Sequence, residues 1–142
     1  MNFFLLLIMG FCASFGFGLL FNVPRESLFL GGLCGLIGQL GLLIAGNNSP
    51  ILGTFLGAVL VAVSGETLAA WQKKPATVYT IVGIIPLVPG RLIYQTMLHF
   101  LHSELTEGLE AGINTLLSAG VIAAGIVFTS SLVQVIKAGN KK

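Results

Sequence analysis

The chain has 142 residues, of which 55% are hydrophobic and 8% charged, with a net charge of +2. Soluble domains carry about 25% charged residues, so this composition excludes a water-soluble domain and marks an integral membrane protein. No basic run suggests nucleic-acid binding, and there is no aspartate, Walker sequence or nucleophile–base arrangement, which excludes an ATPase and leaves no sign of an enzyme, a cofactor or a metal site.

A hydrocarbon core takes about 20 apolar residues per helix, and five segments are apolar enough: 3–21, 28–45, 51–71, 78–101 and 113–136. The first has neither a basic leader nor an A-x-A-like cleavage site, so a retained span is expected rather than a signal peptide. Asn22-Val23-Pro24-Arg25-Glu26 ends it. The second span carries Gly31, Gly32, Gly35, Gly38 and Gly41, and Gly46-Asn47-Asn48-Ser49-Pro50 follows it. The pairs Gly31/Gly35 and Gly53/Gly57 have the GxxxG spacing that lets helix backbones approach closely. Cys12 and Cys34 lie in apolar runs without metal-ligand spacing and read as small packing residues. The third span holds Ser64, Glu66 and Thr67 near its end, before the break at Gln72-Lys73-Lys74-Pro75.

The fourth span contains Ile84-Ile85-Pro86-Leu87-Val88-Pro89-Gly90-Arg91. Each proline removes a backbone donor and clashes with the preceding turn. In lipid the freed carbonyls need partners in protein or a water-lined cavity, and an arginine at such depth is costly. Beyond the break Arg91, Gln95, His99 and His102 recur at helical spacing, with Tyr94 beside them, and form one polar stripe. The segment 102–112 reads as an acidic loop carrying Glu104, Glu107 and Glu110. The fifth span has Asn114, Thr115 and Ser118 near its start and Thr129, Ser130, Ser131 and Gln134 near its end.

Short connections make consecutive helices antiparallel neighbours. With five spans, Arg25, Lys73, Lys74, Lys137, Lys141 and Lys142 all fall on one side, and the other side has no basic residue. The positive-inside rule then puts the N-terminus outside and the C-terminus in the cytoplasm. The expected fold is an all-α integral membrane protein, a single domain of five transmembrane helices over 1–142, surrounded by membrane lipid.

Polar groups near both ends of the spans, with a proline break between them, suit a substrate path with a site near mid-membrane. Pro86, Pro89, Gly90, Arg91, Tyr94 and Gln95 are the candidate path residues. Arg91 can hold a carboxylate bidentately. Glu66 is the candidate proton carrier, because burial favours the neutral form of a carboxyl. Five spans are few for alternating access between paired repeats, so a partner half or a homo-oligomer is expected to complete the path. Two other readings remain: a scaffold subunit whose Gly-rich faces stabilise a partner, and a channel-forming subunit.

Phe21-Asn22-Val23-Pro24-Arg25, Gly65-Glu66, Lys74-Pro75-Ala76-Thr77 and above all Ile84-Ile85-Pro86-Leu87-Val88-Pro89-Gly90, with Tyr94 following, resemble the threonine/serine exporter family. The resemblance covers nearly the whole chain and is to the family's C-terminal half, as found in its small membrane subunits. It implies export of threonine and serine, or of succinate in some split pairs, driven by the proton motive force across the plasma membrane. It also implies a larger partner with a hydrophilic N-terminal region and five further spans. The family pattern has a small or uncharged residue after the P-x-x-P-G string, where this chain has Arg91; Glu66 conforms to it.

Overall fold

The computed structural model describes residues 2–46 and 49–139. Asn47, Asn48, Lys141 and Lys142, which enter the turn and charge assignments above, lie outside the described residues. The described chain is all helical: α1 (Phe3–Leu20), α2 (Arg25–Gly46), α3 (Pro50–Gln72), α4 (Thr77–Gly83), a 3-10 turn (Ile85–Leu87), α5 (Gly90–Leu101) and α6 (Leu105–Gly139). α1, α2, α3 and α6 are each long and apolar enough to cross a membrane. A fifth crossing exists only if α4, the 3-10 turn and α5 count together as one span, bent by 51°.

Local chemistry sets the ends. Ser49 caps α3 by accepting from the Leu52 N–H at 3.5 Å, and Pro50 fills the first helical position, where its missing N–H costs nothing. Asn22, Lys73 and Ser103 take left-handed backbone conformations, with φ of 53°, 53° and 62°, and each stops a helix. At the first of these stops the Val23 N–H returns to the Gly18 carbonyl at 2.9 Å.

The helices bury small residues and expose large ones. α1 buries only Gly10, Ser14 and Gly18, at i, i+4 spacing, while Phe4, Ile8 and Leu20 are mostly exposed. That arrangement is wrong for water and right for lipid, where backbone approach rather than apolar burial holds helices together. α2 is central and packs on α1, α3 and α4. A Cβ added at Gly41 would come within 2.8 Å of the Gly57 backbone, so α2 and α3 meet main chain to main chain. Ala58, Val61, Leu87 and Ile122 form the core where α3, the 3-10 turn and α6 converge.

These contacts fix how far each helix reaches. α1, α2 and α3 begin or end together at the far end of the bundle, opposite the basic end that carries Arg25, Lys73, Lys74 and Lys137. α6 runs parallel to α3, with Gly125 against Ala58 and Lys137 beside Glu66. That offset brings Pro50 level with about Leu117 to Gly120. At 1.5 Å per residue, roughly the first 12 residues of α6 project some 18 Å past α3. α6 as a whole is about 52 Å long by the same rise, against about 30 Å of hydrocarbon.

One expectation is corrected here. The segment 102–112 is not a loop: α6 begins at Leu105, and only His102, Ser103 and Glu104 lie between the helices. The glutamates obscured this in sequence, yet Glu107 suits the first turn of a helix, where the dipole favours negative charge. The break starts at Gly83, which packs on Val61 at the middle of α3, and runs toward the far end. Leu87 packs on Gly57, about two turns from the start of α3, and α5 continues from there along the projecting part of α6. Thr96 meets Gly112 and Phe100 meets Gly108, and α5 packs on α6 rather than on the rest of the bundle. Hydropathy over 78–101 records apolar length but not the 51° bend that carries α5 away.

Candidate functional site

The proline break is seated by glycines. α4 ends at Gly83, where an added Cβ would come within 2.8 Å of Val61 and 2.9 Å of Cys34. Pro86 and Pro89 are half-buried, and the Leu87 between them is buried against Gly57. The Gly90 N–H bonds the Val88 carbonyl at 2.8 Å, and the Pro89 carbonyl accepts from Ile93 to start α5. The first-turn amides of α5 have no carbonyl four residues back to bond.

Arg91 lies in that first turn, exposed, and makes no ion pair among the described residues. By the α5–α6 register it stands level with about Leu117, at the far end of the bundle. Beyond it Gln95 and His99 line a cleft of about 280 Å³ together with Leu92, Glu107, Glu110, Ala111 and Asn114. His99 Nδ1 lies 2.6 Å from Glu104 Oε2. Tyr94 and His102 are exposed and do not line this cleft. The stripe therefore divides: Gln95 and His99 face α6, and Tyr94 points elsewhere.

Glu66 is at the other end. Its side chain is 15% exposed, and Lys137 Nζ donates to its Oε2 at 2.8 Å. Glu66 and Arg91 differ in level by some 16 to 19 residues, or about 24–29 Å along the bundle. The structure thus places the candidate proton carrier and the candidate carboxylate contact at opposite ends of the bundle.

One polar cluster at the basic end does not stand out in sequence. Gln72 Oε1 accepts from Ser27 Oγ at 2.8 Å and from the Tyr79 hydroxyl. Lys74 Nζ donates to Ser27 Oγ at 2.9 Å and to Glu26 Oε2 at 3.1 Å. Ser27 and Tyr79 are fully buried. The cluster ties the starts of α2 and α4 to the end of α3. Its only sequence signal is a tyrosine just inside an apolar run that follows Lys74-Pro75. Elsewhere Ser14 Oγ and Thr129 Oγ1 are buried without a hydrogen-bond partner among the described residues. Among the described residues no three His, Cys, Asp or Glu gather to hold a metal ion.

A bundle of long apolar helices with small residues inside, large apolar residues outside and one proline-broken helix defines a membrane-embedded helical protein. The chain belongs to the threonine/serine exporter family, described as Threonine/Serine exporter, ThrE, whose family model matches residues 6–132. That family is one of transporters rather than enzymes. No solved structure matches the chain.

Proposed function

We propose that the chain is one half of a two-component secondary exporter of small carboxylate-bearing solutes, threonine and serine foremost and succinate as a further candidate. It works in the plasma membrane with its basic end in the cytoplasm, and a larger subunit supplies the other half of the path. The observation that carries the reading is Arg91: a guanidinium without an ion-pair partner among the described residues, at the start of the helix that follows the proline break. A bidentate guanidinium matches a carboxylate. The free amides of the first turn add to the attraction. Pro86, Pro89 and Gly90 shape this mouth, and Gln95 lines the cleft above it.

Glu66 is the proton-linked group of this scheme. Protonation of its carboxylate removes the charge that holds Lys137 and frees the end of α6 from α3. The competing reading, a scaffold subunit, is favoured by the same ion pair taken as a fixed structural tie. Export separates the two. In a strain lacking the chain, intracellular threonine, serine and succinate are measured after feeding, with the wild type or Glu66→Gln restored alongside its native partners. The transport reading expects accumulation in the deletion and no rescue by Glu66→Gln. Full rescue by Glu66→Gln would remove proton coupling through this residue, and unchanged levels of all three solutes would overturn the substrate assignment.

A further inference from the structure

The chain falls into two parts joined at one point. α1 to α4 pack on one another, and the 3-10 turn touches all four of these helices. α5 packs on α6, which in turn packs on α3, and α5 buries no residue. Val88, Pro89 and Gly90 join the parts. Leu87 before them is buried, whereas Val88 and Gly90 are exposed, and a Cβ added at Gly90 would meet nothing within 4 Å. Pro89, with φ of −76° and ψ of 53°, forms an inverse γ-turn, closed by the Gly90 N–H on the Val88 carbonyl at 2.8 Å. Pro89 has no N–H to carry a helical ladder through the join.

We propose that the α5–α6 hairpin is a rigid arm that pivots on α1–α4 about Val88–Gly90, with the Lys137–Glu66 pair as its catch. A few residues at the ends of elements are what absorb the backbone change in hinge motions. The arm itself is braced. Phe100 packs on Gly108 and Thr96 on Gly112. At the turn, the Ser103 N–H bonds the Phe100 carbonyl at 3.1 Å and the Glu104 N–H bonds the His99 carbonyl at 2.9 Å, which is the double closure of a Schellman motif.

The seam that the arm must shift along is narrow. Apart from Gly108, which faces Phe100, the buried residues of α6 are Ile122, Gly125 and Thr129 among the described residues. Gly125 meets Ala58 and the Phe55 carbonyl without a side chain to interlock. Thr129, one turn further along the same face, holds a buried hydroxyl without a partner among the described residues, which costs the seam free energy. Lys137–Glu66 is the one ion pair across it among the described residues, and a half-exposed pair adds little.

The arm links the two ends of the bundle. Arg91 stands beside the pivot on α5, and Glu66 holds the far end of α6 through Lys137. Neutralising Glu66 therefore releases a lever that carries Arg91. The use of this motion in export rests on the transport reading above; the motion itself rests on the fold.

The test is pulsed electron–electron resonance between paired spin labels in lipid nanodiscs, with the exporter's other components present. In a Cys12→Ser background the remaining native thiol, Cys34, is buried. Phe4→Cys with Leu101→Cys reads across the pivot. Phe4→Cys with Trp71→Cys reads within α1–α4, and Leu101→Cys with Val135→Cys within the arm; all four positions are exposed. In the Glu66→Gln background the distance distribution across the pivot is expected to be at least twice as wide as either distribution within a part. It is expected to be narrower with Glu66 intact, and narrower again when Gly90→Ala restricts the pivot. A distribution across the pivot that Glu66→Gln leaves unchanged, or equal widening within the arm, would overturn the proposal. Should the first pair fail to fold, Ile44→Cys with Leu105→Cys reads the same motion. No export is measured, so failure of the transport reading leaves each of these outcomes as it stands.

Discussion

Lys137 and Glu66, 71 positions apart, pair at 2.8 Å and close α6 onto α3 at the basic end. Lys137 is half exposed, and such pairs contribute about 0–1 kcal/mol. Lys137→Ala is therefore expected to lower thermal stability by less than about 1 kcal/mol. Glu66→Gln is expected to reduce export at least tenfold with a similarly small stability change. Export assays beside a thermal melt in detergent check both; a Glu66→Gln variant that loses stability and export in proportion would argue for a structural tie alone.

Among the described residues Arg91 has no comparable partner. Its side chain is exposed in the isolated chain, so Arg91→Ala should leave the melting temperature unchanged while export falls at least tenfold. Arg91→Lys is expected to recover only part of it, because an ammonium cannot reproduce the planar two-point contact of a guanidinium. Export of a threonine analogue lacking the carboxylate should be equally poor in the wild type and in Arg91→Ala. A wild-type preference for the carboxylate that survives in Arg91→Ala would exclude Arg91 as its contact.

Ser14 and Gly35 make the tightest approach between α1 and α2. A Cβ on Gly35 would overlap the Ser14 hydroxyl, so Gly35→Ala should destabilise by about 1–3 kcal/mol, the range for overpacking a close-fitted interior. Ser14→Ala should be neutral or mildly stabilising, by at most about 1 kcal/mol, since it removes a buried hydroxyl that has no partner. Thermal melts of the two variants in the same detergent should shift in opposite directions or leave Ser14→Ala unchanged.

Tyr79→Phe removes a donor to Gln72 while keeping the buried ring. A loss of about 1 kcal/mol is expected. Loosening should be local: hydrogen exchange should rise at the start of α4 and the end of α3, with the α5–α6 hairpin unaffected. Equal acceleration across the chain would show that the cluster holds the whole bundle rather than one end.

The membrane class, the helical fold and four of the spans were legible in the sequence because they depend on composition and uninterrupted apolar length, which are local quantities. The family was legible too, through Pro86-Leu87-Val88-Pro89-Gly90 and its neighbours, and the match over residues 6–132 bears that out. The prolines announced a broken helix, since a missing N–H is a property of the residue itself. What sequence alone did not determine was depth and partnership. Whether Arg91 lies at the middle of the bundle or at its far end depends on Leu87 docking on Gly57 and on a 51° bend, and both arise from contacts between distant segments. The glutamates of 104–110 looked like a loop because charge was weighed without α5, whose packing through Thr96 and Phe100 draws that segment into α6. The sequence does not show which residue faces Glu66; the fold brings Lys137 to it. Periodicity and hydropathy report what each segment prefers; register between helices, which sets the level and partner of every polar side chain, exists only once they have packed.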